Sequence, residues 1–457
     1  MEPRRVTAHR RTRARRPFPS RLPAFLFPLL LLVPSRALAA GAVDTVAQEA
    51  AQGLGPTPAA SLVVAAPLVS DEAAPHGDEL ALRVAALVAG RLGASSHAHA
   101  KVAPLATARA LAGRASALVF VQTEIARGDL RTTIDVYPSM ANAWDRIRNP
   151  LPAPIGHAFA TTKIDAEVRA FLAPLVLEQA SVHRVRQDEG EVLAVGCGDV
   201  DGDGGDELVL VSRARVAVGR VRGGAFVAER TAPWEALAPR LPVPMRDPLG
   251  AAVVAPGAID VGTTDRGGVA LTPDFVTHAP LAGMPVWGGG APVCLMPEPS
   301  AGAYDGAPFD CTLARDRKPK MAVPAPRFDA FAAWSSADAQ GRAEDMIAVR
   351  EPSGRLDLRS GDAPPRVLDG PYGAQLAVAD LDQDGAPEIA TAADGPEDAI
   401  DVVTVASPSE DPRPRLHLPA PAGVRALAVC PPEENGEPVL VAVVGDELWL
   451  VRAGEEP

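Results

Sequence analysis

The hydrophobic pattern changes character once along this chain. Up to about residue 180 it switches between extended and helical spacing. Residues 61–69 are an apolar run closed by Ser70 and Asp71, which predicts a strand. Over 78–92, Leu80, Val84, Leu87 and Val88 recur on one helical face, with Asp78 and Glu79 at the positive end of the helix dipole and Arg91 at the negative end. A second helix is predicted over 102–111. Residues 117–121 and 130–137 read as a hairpin turned through Arg127, Gly128 and Asp129, and 163–175 as a closing helix with Ile164, Val168, Phe171 and Leu172 inward.

Beyond residue 180 the helical spacing disappears. Short apolar runs follow one another at 208–211, 215–221, 225–228, 251–254, 292–295, 331–334, 376–378, 425–429 and 447–451. Apolar residues at consecutive positions suit strands covered on both faces, as in stacked sheets. Trp234, inside the proline-rich stretch 231–250, is expected to be a packing anchor.

Two acidic strings interrupt these runs at corresponding places. Asp199-Val200-Asp201-Gly202-Asp203-Gly204-Gly205-Asp206-Glu207 leads into residues 208–211, and Asp380-Leu381-Asp382-Gln383-Asp384-Gly385-Ala386-Pro387-Glu388 leads into Ile389 and Ala390. Both place carboxylates at positions 1, 3, 5 and 9 and glycine at position 6. Four carboxylates in a short bend repel one another unless a cation gathers them, and a hard ion that accepts six to eight oxygens at flexible geometry points to calcium. The metal ligands expected are Asp199, Asp201, Asp203 and Glu207 in the first bend, and Asp380, Asp382, Asp384 and Glu388 in the second. The plain alternative is an acidic turn built from good turn formers. Residues 336–344 keep positions 3, 6 and 9 and residues 431–439 keep the middle of the bend, too few oxygens for either to count as a site. Starts at 199, 336, 380 and 431 are spaced by 137, 44 and 51 residues, the first interval leaving room for two eroded copies.

An EF-hand would place its last carboxylate at position 12 and flank the loop with helices; here it stands at position 9 between strands. On these residues the two segments resemble the FG-GAP or VCBS repeats of integrin-α-type β-propellers. That resemblance implies calcium held through positions 1, 3, 5 and 9. The order strand, helix, helix, hairpin, helix and then propeller is also similar to the TolB family of the bacterial cell envelope. The expectation is a mainly β fold: a six-bladed propeller over residues 181–457, or seven-bladed if 176–190 add strands, preceded by a small α/β domain over 41–180.

Residues 1–40 change the charge and the compartment. Nine arginines lie between positions 4 and 36, a short apolar core follows at 22–33, and Ala37-Leu38-Ala39 supplies a small-x-small cleavage pattern. This reads as a signal peptide of an exported bacterial protein, periplasmic or extracellular, with no transmembrane segment once it is removed. The formal net charge is −13 for the chain and −21 without those residues, which disfavours nucleic acid and suits solubility and divalent cations. Four cysteines permit two disulfides in an oxidising compartment. Cys294 and Cys311 are expected to pair; Cys197 and Cys430 would be neighbours only in a closed ring, across a distance that inner strands need not bridge.

The chemistry-bearing residues outside the bends are sparse. Arg127-Gly128-Asp129 spells an integrin-recognition tripeptide but is read as a turn, and His97 and His99 lack a third ligand nearby. No nucleophile-elbow, zincin or Ser/His/Asp spacing stands out. The expected function is a non-enzymatic recognition or scaffold module that binds calcium and a protein or carbohydrate ligand. The alternatives are a TolB-like role in cell-envelope assembly and a propeller hydrolase or lyase, the last requiring His157, His183, His278 or His417 to meet a carboxylate in the central channel.

Overall fold

A computed structural model describes residues 41–455 except 56–59, 114, 139–146, 148–151, 243–246, 277, 299–301, 313–317, 338–342, 362, 394–396, 406–410 and 432–436. The expected signal peptide and parts of the two weak repeats, at 338–342 and 432–436, lie outside the described residues.

The first layer of the molecule is a mixed sheet. Its strands are β1 (Leu62–Ala65), β2 (Val69–Ser70), β3 (His97–Ala98), β4 (Ala117–Ala126), β5 (Asp129–Pro138) and β6 (Gly156–Lys163), in the order β3-β1-β4-β5-β6 with β2 beside β4. The apolar runs of β1 and β4 are explained by cover on both faces. Val63, Ala65, Val119 and Val121 pack with α1 (Ala42–Gly53) and α2 (Gly77–Leu92). Leu62, Val64, Leu118 and Phe120 pack with α3 (Leu105–Leu111) on the other side. Arg127 (φ +54) and Gly128 (φ +70) make the two-residue turn between β4 and β5, and Asp129 is engaged by Lys163 and Arg131. The Arg-Gly-Asp string is therefore a hairpin turn with its carboxylate taken.

The closing helix expected over 163–175 is corrected. Residues 156–163 alternate in burial and extend the sheet as β6, and only one helical turn, α4 (Ala166–Arg169), follows. Asp165 fixes that turn by accepting from the backbone N–H of Val168 at 3.0 Å, while its other oxygen accepts from the N–H of Ala42 at the start of α1, at 2.7 Å. Pro174 then ends any helical course, and β7 (Leu175–Arg186) begins.

The remaining strands run as four-stranded antiparallel meanders. They are β8 (Val192–Gly198), β9 (Glu207–Ser212), β10 (Arg215–Arg222) and β11 (Ala225–Pro233); β12 (Gly250–Ala255), β13 (Ala258–Thr263), β14 (Gly267–Leu271) and β15 (His278–Pro280). Next come β16 (Met284–Trp287), β17 (Pro292–Glu298), β18 (Ala303–Phe309) and β19 (Arg327–Phe328); β20 (Ala330–Ala337), β21 (Ala343–Arg350), β22 (Leu356–Ser360) and β23 (Arg366–Leu368). The last are β24 (Tyr372–Ala379), β25 (Glu388–Ala393), β26 (Ala399–Thr404) and β27 (Arg413–Pro419), then β28 (Val424–Cys430), β29 (Val439–Val444) and β30 (Glu447–Glu455).

Four of these meanders are separate sheets, while β28-β29-β30-β7-β11-β10-β9-β8 is one continuous sheet of eight strands. This corrects the expectation of six or seven separate blades. β7 does not open a further blade; it pairs antiparallel with β30 from Leu175↔Glu455 to Arg186↔Glu447, and a single parallel pair, Arg186↔Ala225, joins it to β11. The third meander opens at Met284, ahead of the expected 292, because an inner edge strand tolerates Pro285 where a central strand would not. Each inner strand has a partner strand on one side only, apart from a single isolated bridge between Gly289 and Trp334 of β20, and the six touch in succession, β8 to β12, β16, β20, β24, β28 and back to β8. Gly250 shows how closely they approach: a Cβ there would lie 2.7 Å from the backbone carbon of Leu193. The architecture is a mainly β propeller, its apolar cores lying between successive sheets.

Trp234, at the start of a helical turn, α5 (Trp234–Leu237), is fully buried and donates its indole N–H to the carbonyl of Ser212 at 2.8 Å. Both disulfides are formed. Cys294–Cys311 closes a short loop, and Cys197–Cys430 ties β8 to β28 with Cα atoms 5.1 Å apart, closer than the sequence suggested.

Candidate metal site in two acidic bends

Both acidic strings join the inner strand of a meander to its second strand, the first between β8 and β9, the second between β24 and β25. Their backbones turn alike. Position 4 is left-handed in each (Gly202 φ +80, Gln383 φ +56), and so is position 6 (Gly204 φ +89, Gly385 φ +92). The position-9 glutamate is fully buried in both and accepts from the backbone N–H of position 2, Val200 or Leu381, at 2.8 Å. Glutamate at position 9 therefore closes the bend as well as facing its interior.

The first bend brings the carboxylates of Asp199, Asp201 and Asp203 within 4.8 Å of one another. Asp199 is spent on the backbone, accepting from the N–H groups of Gly202, Asp203 and Gly204 at 2.7–3.1 Å. Arg220, opposite Glu207 across the β9–β10 pair, puts one guanidinium nitrogen against Glu207, 2.7 Å from Asp203 and 3.4 Å from Asp201. Arg230 reaches the other oxygen of Asp201 at 3.4 Å. Hydrogen bonds from Arg220 and from the N–H of Gly205 hold the Asp203 carboxyl below its usual range. A guanidinium thus already gathers this cluster.

The second bend differs in its neutralisation. Asp380, Asp382 and Glu388 bring oxygens within 4.8 Å of one another, while Asp384 turns to the N–H of Ala386 at 2.8 Å. Thr404 stands where Arg220 stands in the first bend, opposite the buried glutamate, and donates its hydroxyl to Glu388 at 3.0 Å. Arg415 comes from a bulge in β27 and meets only one carboxylate of the trio, Asp382 at 2.8 Å; its Nε is turned to Glu178. Asp380 Oδ2 accepts from Gly385, but Oδ1 is buried without a hydrogen-bond partner. Burial, then the charge of Asp384, pushes the Asp380 carboxyl up to about 6. Burial, then the charge of Asp382, pushes Glu388 up to about 8. An orphaned carboxylate oxygen beside two buried acids is a donor set that fits a hard cation.

Other candidates do not converge. Among the described residues His97 and His99 join no metal-sized cluster, and no histidine lines the central channel. His157 and His417 are turned to Asp135 at 2.8 Å and Asp401 at 2.6 Å. Sequence reasoning missed Arg220, Arg415 and Thr404. Arg220 could be reached by counting on from the Ser212–Arg215 turn, whereas Arg415 is the bulged residue that shifts the register of β27 by one.

One more contact bears on the second bend. Arg169 of α4 is buried and donates from Nε to the side chain of Gln383 at 2.8 Å and from Nη1 to Glu72 at 2.6 Å, tying the first layer to the bend.

No protein-family model and no curated protein matches the sequence. Among solved structures the chain is similar to the Cps50 (Swd1) β-propeller domain of Myceliophteria thermophila, at 8% identity over 72% of this chain and 93% of that one, with a TM-score of 0.34. It is similar to AofleA of Arthrobotrys oligospora, at 10% identity over 61% and 94%, TM-score 0.35. TolB of Acinetobacter baumannii matches at 11% identity over 88% of this chain and 96% of that one, TM-score 0.28. The propeller assignment itself rests on the sheet order and the closed ring of inner strands.

Proposed function

We propose that this chain is an exported, calcium-stapled propeller of the FG-GAP/VCBS kind that works as a recognition or scaffold module rather than a catalyst. In this reading the eight-stranded sheet is two blades that share an edge, so the ring has six, and residues 41–180 act as a small α/β domain offering a second contact surface. The observation that carries the calcium reading is the buried, unpartnered Oδ1 of Asp380 beside Asp382 and Glu388. Those three would hold the ion, with Asp384 beside them; the ion would neutralise acids that burial now penalises and fix the link between β24 and β25. The first bend binds more weakly, because Arg220 must leave before Asp199, Asp201, Asp203 and Glu207 can face an ion. Export is supported by the pairing of all four cysteines. The partner class expected is a protein or carbohydrate.

The test is calcium titration by calorimetry together with thermal melting in chelator and in millimolar calcium. Wild type should bind and melt higher in calcium. Asp382→Asn should lose most of that gain, and Asp203→Asn should keep it. Equal melting of wild type in both media sinks the reading.

A further inference from the structure

The six inner strands enclose a cavity of about 1070 Å³ whose wall and rims differ in chemistry. Along the wall, the only polar side chains among the described residues are Tyr304 and Gln375; every charged group stands at one end or the other. Leu193, Val254, Val286, Phe331, Trp334 and Leu376 keep part of their apolar surface exposed to this space. A channel meant only to hold water would not be walled with valine, leucine and tryptophan, whose exposure there is a standing hydrophobic cost. The size is that of a small-molecule site, and a seven-residue strand such as β8 makes the tube roughly 20 Å long.

The rims are unlike. At the end where the inner strands begin, Glu191, Asp247 and Asp329 stand with Arg213 and Arg425, and Arg213 bridges Glu191 and Asp247, the latter at 2.9 Å. At the other end, beside the acidic bends, Asp165, Asp199, Asp206 and Asp380 stand with a single cation, Lys163. That rim is strongly acidic, and Lys163 is itself turned to Asp129 at 3.1 Å.

We propose that the channel is a binding site for a slender aliphatic molecule with a cationic head, its chain lying along the inner strands and its head at the rim of Asp165, Asp199, Asp206 and Asp380. The aliphatic part follows from the uncharged wall, and the sign of the head from the larger carboxylate excess at this rim, four acids to one lysine against three acids to two arginines at the other. The apolar wall is independent of the second bend, whereas Asp199 and Asp380 are also ligands in the calcium reading, so the preference for an amine head should be largest in chelator and narrow in calcium.

The test uses the full chain, with decylamine, dodecylamine and decanoate below their micelle concentrations, read by calorimetry and by the fluorescence of Trp287 and Trp334 in the wall. It is run both in chelator and in calcium, so that a missing calcium response and a missing ligand are separate results. In chelator decylamine should bind at least tenfold tighter than decanoate, and dodecylamine about fifteenfold tighter than decylamine, as about fourfold per buried methylene requires. Ala374→Phe, at an exposed wall position, and Ala428→Phe, at a half-buried one, should each weaken binding at least tenfold while melting like wild type. The amine-over-carboxylate preference on wild type stands even if either variant misfolds. Decanoate binding as tightly as decylamine in chelator overturns the proposal, as does undiminished amine binding by a folded plugged variant, which would mark adsorption to the acidic outer surface.

Discussion

Two strings with the same carboxylates at positions 1, 3, 5 and 9 reach different electrostatic states because of residues on the second strand after each of them. Arg220 sits among three acids of the first bend, whereas Thr404 occupies the matching place in the second and leaves Asp380 and Glu388 without a positive neighbour of their own. The consequence is a pH dependence with a definite sign. Glu388 is raised from 4.5 to about 8 and Asp380 from 3.8 to about 6, so the folded, metal-free protein holds protons that the unfolded chain has released. Their contribution to stability is fully present below about pH 4 and is lost as pH rises toward 8. Melting in chelator should therefore fall between pH 5 and 8, and the gap between calcium and chelator should widen over the same range. Glu388→Gln, which mimics the protonated acid, should flatten the chelator profile; an unchanged slope in that variant would assign the pH dependence elsewhere. At this scale the sequence made the acid spacing and the glycine at position 6 legible. It hid the arginines, because which side chain faces a bend depends on strand register, and the bulge in β27 shifts that register.

The elements that spacing made readable are those whose burial is one-sided or complete. Helix α2 runs over Gly77–Leu92 as its apolar face predicted, and β4 and β5 make the expected hairpin, each longer than the apolar core suggested. Helix α1 went unread, since its small residues, Ala42, Val46, Ala47 and Ala50, give little contrast although all are buried. Residues 163–175 look helical by Val168, Phe171 and Leu172, yet a capping aspartate and Pro174 leave only one turn. That turn has a task out of proportion to its length, because it carries Arg169. Replacing Arg169 with alanine removes the buried partner of Glu72 and the Nε contact to Gln383, whose backbone is left-handed. The expected loss is about 3–5 kcal/mol, as for breaking a buried ion pair from one side. Hydrogen exchange should rise in α4 and in the 380–388 bend together. Faster exchange in α4 alone would mean that the layer and the bend are not coupled through this residue.

For the molecule as a whole, the ring is closed twice at one joint. The β7–β30 pairing completes the last meander, and Cys197–Cys430 ties the first inner strand to the last across 233 residues. By chain entropy a crosslink that spans so much sequence stabilises by about 5 kcal/mol at most, against about 3 kcal/mol for the 17-residue separation of Cys294 and Cys311. The Cys197→Ser, Cys430→Ser double variant should accordingly unfold at lower denaturant than the Cys294→Ser, Cys311→Ser one. The reverse order would show that the ring holds without its bridge. That the later strands form antiparallel meanders was readable from the spacing of apolar runs; the joining of β28–β30 and β8–β11 through β7 into one eight-stranded sheet was not, since a pairing between residues 261–280 apart leaves no local trace.

That pairing also sets an order on biosynthesis. β7 leaves the ribosome ahead of every strand of the ring proper, yet its long edge has no mate until β30, at Glu447–Glu455, has been made. Through most of translation the nascent chain thus carries a twelve-residue strand with an open edge, the kind of surface that recruits chaperones or pairs wrongly with a second nascent chain. A ribosome stalled before residue 447 should yield a chain that sticks to others, and emergence of the nine-residue β30 should end that stickiness abruptly.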